Sequence, residues 1–217
     1  MAIFIIDAGH GPNTAGKRCY KSFDPNETRE YELNSRIAAY VVDLLDIRGH
    51  MGIRVDDVMG NKDIPVSERA RKANTYYNAK AYISIHHNAD PDKVDDDGVN
   101  DAARGFTVFH YPTSEDSERA ERMYDILIEE TGLRGNRRSP IIGTKDLCVI
   151  RETRMPALLI ENGFMDNKDD VAIILTDLHA RLTAKAIVRW CLEQVGEDFY
   201  KKSVCDCDCP CCEENCR

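Results

Sequence analysis

The chain has 217 residues, 42% of them hydrophobic and 31% charged, with a formal net charge of −9. This length allows one well-buried α/β domain and hardly two. The acidic balance argues against nucleic acid as the main partner, because phosphate binding needs a basic surface. No apolar run approaches the roughly 18 residues that cross a bilayer, which predicts no membrane insertion. The earliest apolar run, at residues 3–6, is too short for a signal peptide, so we expect synthesis in the cytoplasm and a route to any outside substrate supplied by something else.

The apolar pattern predicts strands that alternate with helices. Short continuous runs rich in β-branched residues indicate strands buried on both faces, and apolar residues at helical spacing indicate the helices. This alternation predicts a three-layer α/β fold with a mixed, mostly parallel sheet of about six strands flanked by helices. Strands are predicted at residues 3–6, 53–55, 81–86, 105–110, 147–150 and 157–160, and helices at about 28–49, 65–77, 114–130 and 170–195.

A polar, acidic segment at residues 90–101 separates the third and fourth predicted strands. Its composition suggests a calcium loop, but placing Gly98 at the required sixth position puts Lys93 first and Arg104 twelfth, where oxygen ligands are needed. We therefore expect an exposed loop.

Three predicted strands lead directly into side chains that can bind a metal or transfer a proton. The first is followed by His10, the third ends at His86 and His87, and the last is followed by Glu161. In open α/β sheets, ligands bind beyond the carboxyl ends of the strands, so these side chains are expected at one rim. Glu30, in the first turn of the next predicted helix, can return to the same rim.

Each of these residues also has an ordinary structural explanation. A lone histidine after a strand is usually a hydrogen-bonded structural residue, and Glu30 suits the positive end of a helix. Glu161 is harder to explain, because it follows four apolar residues and a half-buried carboxylate is costly unless it is paired or functional. Together, two histidines and one glutamate supply a catalytic zinc set with an open position for water. Glu161 can then take a proton from that water and pass it to a leaving nitrogen.

Five segments, spread in order over most of the chain, resemble a known family, the zinc N-acetylmuramoyl-L-alanine amidases of the third amidase class. This family includes cell-separation, sporulation and phage lysis enzymes. The segments are IIDAGHG from Ile5, EYELNSRIA from Glu30, SERARKAN from Ser67, ISIHHNAD from Ile83 and VIRETRMPALLIENGFMDN from Val149.

The resemblance implies one catalytic zinc bound by His10, Glu30 and His86, with Glu161 as the catalytic carboxylate. In the ISIHHNAD segment the family's ligand is the first histidine, so His87 occupies a variable place. The implied reaction is hydrolysis of the amide between N-acetylmuramic acid and L-alanine in bacterial peptidoglycan, as in a phage endolysin that reaches the cell wall after release. Two alternatives stay open: a zinc peptidase or amidohydrolase acting on soluble peptides, and a catalytically silent wall-binding protein.

The C-terminal end differs in composition from the rest of the chain. We expect a catalytic domain at residues 1–200 and a cysteine-rich tail at 201–217, with six cysteines between Cys205 and Cys216. The tail lacks the two separated cysteine pairs of a zinc ribbon. It could bind an additional soft metal, form a disulfide knot outside the cell, or stay unstructured.

Overall fold

The computed structural model describes residues 1–89 and 103–201. The expected loop at 90–101 and the six cysteines of the tail lie outside these residues. No helix in the described ranges has both the length and the apolar character needed to cross a membrane.

A six-stranded sheet runs through the centre of the described structure. Its order is β2-β1-β3-β6-β4-β5, and every neighbouring pair is parallel except β4 and β6, which are antiparallel. The predicted mixed, mostly parallel sheet of about six strands is confirmed. The strands are β1 (Ile3–Ala8), β2 (Met51–Arg54), β3 (Ala79–Asn88), β4 (Phe106–His110), β5 (Ile141–Gly143) and β6 (Ala157–Phe164).

Helices cover both faces of the sheet. The larger hydrophobic core lies under α1, α3 and α6, where the fully buried Trp190 donates from its indole Nε1 to the carbonyl oxygen of Arg119 at 3.0 Å. A smaller core lies on the opposite face against α2 and α4. The predicted three layers are therefore present. The helices are α1 (Glu30–Ile47), α2 (Val66–Ala73), α3 (Ser114–Thr131), α4 (Cys148–Glu152), α5 (Lys168–Ile174) and α6 (Asp177–Glu193).

Two predictions about the second half of the chain are wrong. The run at 147–150, predicted as a strand, instead leads into the short helix α4, because a four-residue apolar run does not distinguish a strand from one buried turn of helix. Val149 and Ile150 are consecutive buried residues of that turn. The sheet gains its sixth strand from β5, a three-residue edge strand that sequence analysis missed.

The predicted closing helix at 170–195 is two helices. α5 ends at Ile174, and Thr176 begins α6 by accepting a hydrogen bond from the backbone amide of His179 at 3.2 Å. A threonine in this capping position supplies an acceptor for an otherwise unpaired amide of the first turn. Leu178, an apolar residue within the predicted range, is 66% exposed in the first turn of α6.

The topology brings three strand ends together. β1, β3 and β6 are adjacent and parallel in the middle of the sheet. Their carboxyl ends therefore share one rim, and the amide of Gly9 joins that rim to β3 by donating to the carbonyl of Ile85 at 2.9 Å.

Candidate metal centre and active site

The loop after β1 holds His10 in an unusual backbone conformation. Its φ of 65° lies in the left-handed region, which non-glycine residues seldom occupy. The flanking glycines leave no room for side chains: a Cβ on Gly9 would lie 2.1 Å from Cε1 of His86, and a Cβ on Gly11 would lie 2.5 Å from the Cα of Asp63. Both glycines are therefore required for the close approach of backbone and side chains at this rim.

The buried guanidinium of Arg69, on α2, fixes this loop. It donates to Oδ1 of Asp7 at 2.5 Å and to the carbonyl oxygens of Ala8 and His10 at 2.5 and 2.8 Å. It also donates to Oδ1 of Asp63 at 2.8 Å. Burial favours the neutral carboxyl, but the positive charge of Arg69 outweighs it and lowers the pKa of Asp7. Sequence reasoning missed this role of Arg69, although the residue stands in the segment SERARKAN that carries part of the resemblance.

Glu30, the first residue of α1, is 1% exposed and faces the loop. Its Oε1 lies 3.1 Å from Nδ1 of His86 and accepts the backbone amide of His87 at 3.1 Å. Its Oε2 is 3.2 Å from Nε2 of His10 and 4.0 Å from Nζ of Lys17, yet it has no hydrogen-bond partner among the described residues. Burial opposes ionisation, but the nearby imidazoles of His10 and His86 lower the pKa of Glu30 well below its ordinary value.

His86 and His87 lie on opposite faces of β3, because successive side chains of a strand alternate. His86 faces Glu30 and His10, and its ring lies 4.9 Å from the ring of His10. His87 is buried on the other side, with its Nδ1 2.8 Å from Oδ1 of Asn34. Burial lowers the pKa of His87 to about 3.

Asn34 is a further residue that sequence reasoning missed. Besides its contact with His87, its Nδ2 donates to the carbonyl oxygen of Gly9 at 3.0 Å. It therefore links α1 to the histidine loop and to β3 at the same time. Asp7 and Asn88 are two further polar residues close in sequence to the histidines. Asp7 contacts Arg69, Tyr82 and Ser84, while the side chain of Asn88 accepts from the backbone amide of Ala89.

Glu161 lies on β6 directly across from His86 in the parallel register. Its side chain is half-buried, and its Oε2 is shielded from solvent without a hydrogen-bond partner in the described part of the chain. Burial raises the pKa of Glu161 to about 7, against the lowering effect of a positive charge on His86. The half-buried side chain therefore lies at the rim with one carboxylate oxygen that accepts no hydrogen bond from the described residues.

A cavity of about 310 Å³ opens beside the two histidines. Val66, Leu147, Val149 and Leu159 contribute apolar walls. The cavity can therefore receive an uncharged part of a bound molecule next to His10 and His86.

One ligand atom from each of His10, Glu30 and His86 can be chosen so that all three lie within 4.8 Å of one another. Two imidazole nitrogens and one carboxylate oxygen are a donor set that zinc accepts, with a fourth position left open. Oε2 of Glu30 fits this interpretation, because it accepts no hydrogen bond in the described structure and a buried carboxylate oxygen without a donor is costly unless a cation lies close to it. These three residues could hold a metal ion.

The fold and this rim define a three-layer α/β protein with a His/Glu site that can hold a metal ion. The chain belongs to the N-acetylmuramoyl-L-alanine amidase family, whose sequence profile matches residues 4–190. The family resemblance predicted from the sequence is confirmed.

Two relatives agree with this assignment, and a solved structure shares the fold. The chain is 28% identical over 183 residues to the endolysin of Bacillus phage SPP1, covering 79% of this chain and 58% of the relative. It is 29% identical over 193 residues to the Staphylococcus aureus protein named "Probable cell wall amidase LytH", covering 85% of this chain and 55% of the relative. It thus spans a little over half the length of these relatives. A solved N-acetylmuramoyl-L-alanine amidase from Clostridium difficile 630 shares the fold, with a TM-score of 0.75 at 24% identity over 90% of this chain and 97% of that one.

Proposed function

We propose that this chain hydrolyses the amide between N-acetylmuramic acid and L-alanine in bacterial peptidoglycan, using one zinc ion bound by His10, Glu30 and His86. The observation that carries the proposal is the convergence of these three ligand atoms within 4.8 Å at a sheet rim shared with the unpartnered carboxylate of Glu161. Membership of the amidase family supports the choice of substrate.

Zinc held by such a set supplies Lewis acidity, which polarises a carbonyl and makes water more acidic. The chain's own residues prepare the ligands for it. The backbone amide of His87 occupies Oε1 of Glu30, leaving Oε2 as the oxygen without a hydrogen-bond partner. Gly9 lets the His86 ring approach the loop, and Arg69 fixes the carbonyl of His10.

Glu161 is the proposed general base and then the general acid. It takes a proton from the attacking water as the new bond forms to the lactyl carbonyl carbon, and it returns that proton to the alanine nitrogen as the carbon–nitrogen bond breaks. The products are a free lactyl carboxyl group on the sugar and a free amino terminus on the peptide. Because its Oε2 accepts no hydrogen bond in the described structure, no described protein donor at that oxygen competes with the two transfers.

The proposal extends to the setting of the reaction. We propose that residues 1–200 form the catalytic domain and that the protein acts in lysis at the cell wall after release, supported by the similarity to a phage endolysin.

For the cysteine tail we propose an additional soft metal ion. Full-length protein should then hold two metal ions per chain, one removed by His10→Ala and the other by replacing the cysteines between Cys205 and Cys216 with serine.

Digestion of purified peptidoglycan followed by mass spectrometry of the products tests the proposed reaction. The expected products are intact stem peptides with free L-alanine amino termini and glycan strands with free lactyl groups, formed only by zinc-loaded protein. Cleavage of small soluble peptides without any release from walls would point to a peptidase instead. Binding to walls with no cleavage would identify a silent wall-binding protein.

A further inference from the structure

Thr107 stands next to the proposed catalytic carboxylate on the sheet. β4 and β6 are antiparallel, and their register places Thr107 directly across from Glu161. Glu161 in turn lies across from His86 on its other side. Directly opposed residues of neighbouring strands point to the same face, so Thr107, Glu161 and His86 form a row across three strands.

Both polar groups at the Thr107 end of this row are unpaired. Thr107 is fully buried, and its Oγ1 has no hydrogen-bond partner in the described ranges. Oε2 of Glu161 is also shielded from solvent and unpaired there. Burying a hydroxyl without a partner is destabilising, and valine would fill the same space on a strand without that cost. Packing alone therefore gives no reason for a hydroxyl at this position.

The distance between the two positions allows contact. Directly opposite residues of an antiparallel pair have Cβ atoms about 4.5–5.5 Å apart, which a threonine hydroxyl and a glutamate carboxylate can span with a hydrogen bond. Catalytic hydrogen bonds are often absent or long in a free enzyme and shorten in the substrate complex.

We propose that Thr107 is a positioning residue for Glu161. In the substrate complex its hydroxyl donates to one carboxylate oxygen, and this fixes the rotamer that presents the other oxygen to the water and to the leaving nitrogen. The proposal rests on the proposed function, in which Glu161 transfers the proton. Thr107 touches no substrate atom and acts only through Glu161.

Thr107→Val and Thr107→Ser test this role in the full-length, zinc-loaded protein. For Thr107→Val we expect unchanged zinc content, a melting temperature no lower than that of the parent, an unchanged KM for peptidoglycan fragments and a kcat lowered by about 10- to 100-fold, a fraction of what general acid–base catalysis contributes. Thr107→Ser, which keeps the hydroxyl, should restore kcat to within about threefold of the parent.

Thr183→Val is the matched control. Thr183 is also fully buried, but its Oγ1 lies 3.4 Å from Nε2 of His179, on a helix away from the rim. This control should lower the melting temperature and leave kcat unchanged, the reverse of the pattern expected for Thr107→Val.

Two results would overturn the inference: a Thr107→Val kcat within twofold of the parent, or a loss of kcat that Thr107→Ser does not restore. The proposed function fails separately. If the zinc-loaded parent releases no amino termini from walls, both proposals fall, whereas an active parent matched by an equally active Thr107→Val variant removes only the Thr107 role.

Discussion

Gly9→Ala adds only one methyl group, yet the structure predicts that it causes a large loss of zinc affinity. The added methyl would lie 2.1 Å from Cε1 and 2.3 Å from Nε2 of the His86 ring. Nonbonded carbon atoms pack at about 3.5–4.0 Å, so the ring must retreat by roughly 1.4 Å. Zinc–ligand distances tolerate only about 0.2 Å. His86 should therefore cease to be a ligand, and zinc affinity should fall by at least about 100-fold, the upper range for disturbing a ligand's support.

Zinc competition with a chelator of known affinity measures this effect, alongside metal content and peptidoglycan hydrolysis. The matched control is Gly143→Ala on the edge strand β5, where the new methyl meets Cε1 of His110 at 3.2 Å, a contact that small shifts can relieve. Neither glycine has a positive φ, so both variants gain the same small benefit from a stiffer unfolded chain. A Gly9→Ala variant that binds zinc as tightly as Gly143→Ala would refute the placement of His86 against the loop.

Four further substitutions test the roles of individual charged and polar side chains. Arg69→Met leaves the buried carboxylate of Asp7 without its cation, which should lower the free energy of unfolding in urea by about 3–5 kcal/mol. His86→Ala should remove most bound zinc, whereas His87→Gln should keep the zinc and lower the melting temperature, because His87 faces the core. Asp24→Asn tests pH dependence: burial alone would raise the pKa of Asp24, but hydrogen bonds from Thr28 outweigh it and lower the pKa. Its stabilising effect is thus present above the unfolded pKa of about 3.9 and disappears as the pH falls through the lower folded value, so urea unfolding of parent and variant should converge in acid.

Each of these expectations has a clear contrary result. An Arg69→Met variant destabilised by less than about 1 kcal/mol would behave like the loss of an exposed ion pair. If His87→Gln lost its zinc and His86→Ala retained it, the metal ligand would be His87 and not His86. A stability difference between Asp24→Asn and parent that stays constant down to pH 2 would show that Asp24 titrates identically in the folded and unfolded chain.

The middle of the sheet was predictable because its strands are buried on both faces. Such strands have continuous apolar sequences, and the residues that follow them collect at one rim by topology alone. That reasoning placed His10, His86 and Glu161 together without any contact information. The assignment of His86 over His87 depended on the family resemblance in the sequence, and alternation along β3 now places them on opposite faces.

The elements that sequence analysis missed depend on tertiary contacts. The three residues of β5 are too few to show a period, and α4 has the same apolar run as a short strand. The role of Arg69 was hidden because a charged residue on a helix usually faces solvent. Here it is buried by carbonyl and carboxylate acceptors from the end of β1 and the loop that follows it, which no local pattern on α2 reveals.

The central claim is that Glu161 transfers the proton beside a zinc held by His10, Glu30 and His86. The most direct test compares the parent with Glu161→Gln, measuring zinc per chain and release of amino termini and lactyl groups from purified peptidoglycan in the same samples. We predict equal zinc in both proteins, amide cleavage by the parent, and a loss of at least about 100-fold in the variant. Equal rates of release from the two zinc-loaded proteins would contradict the account.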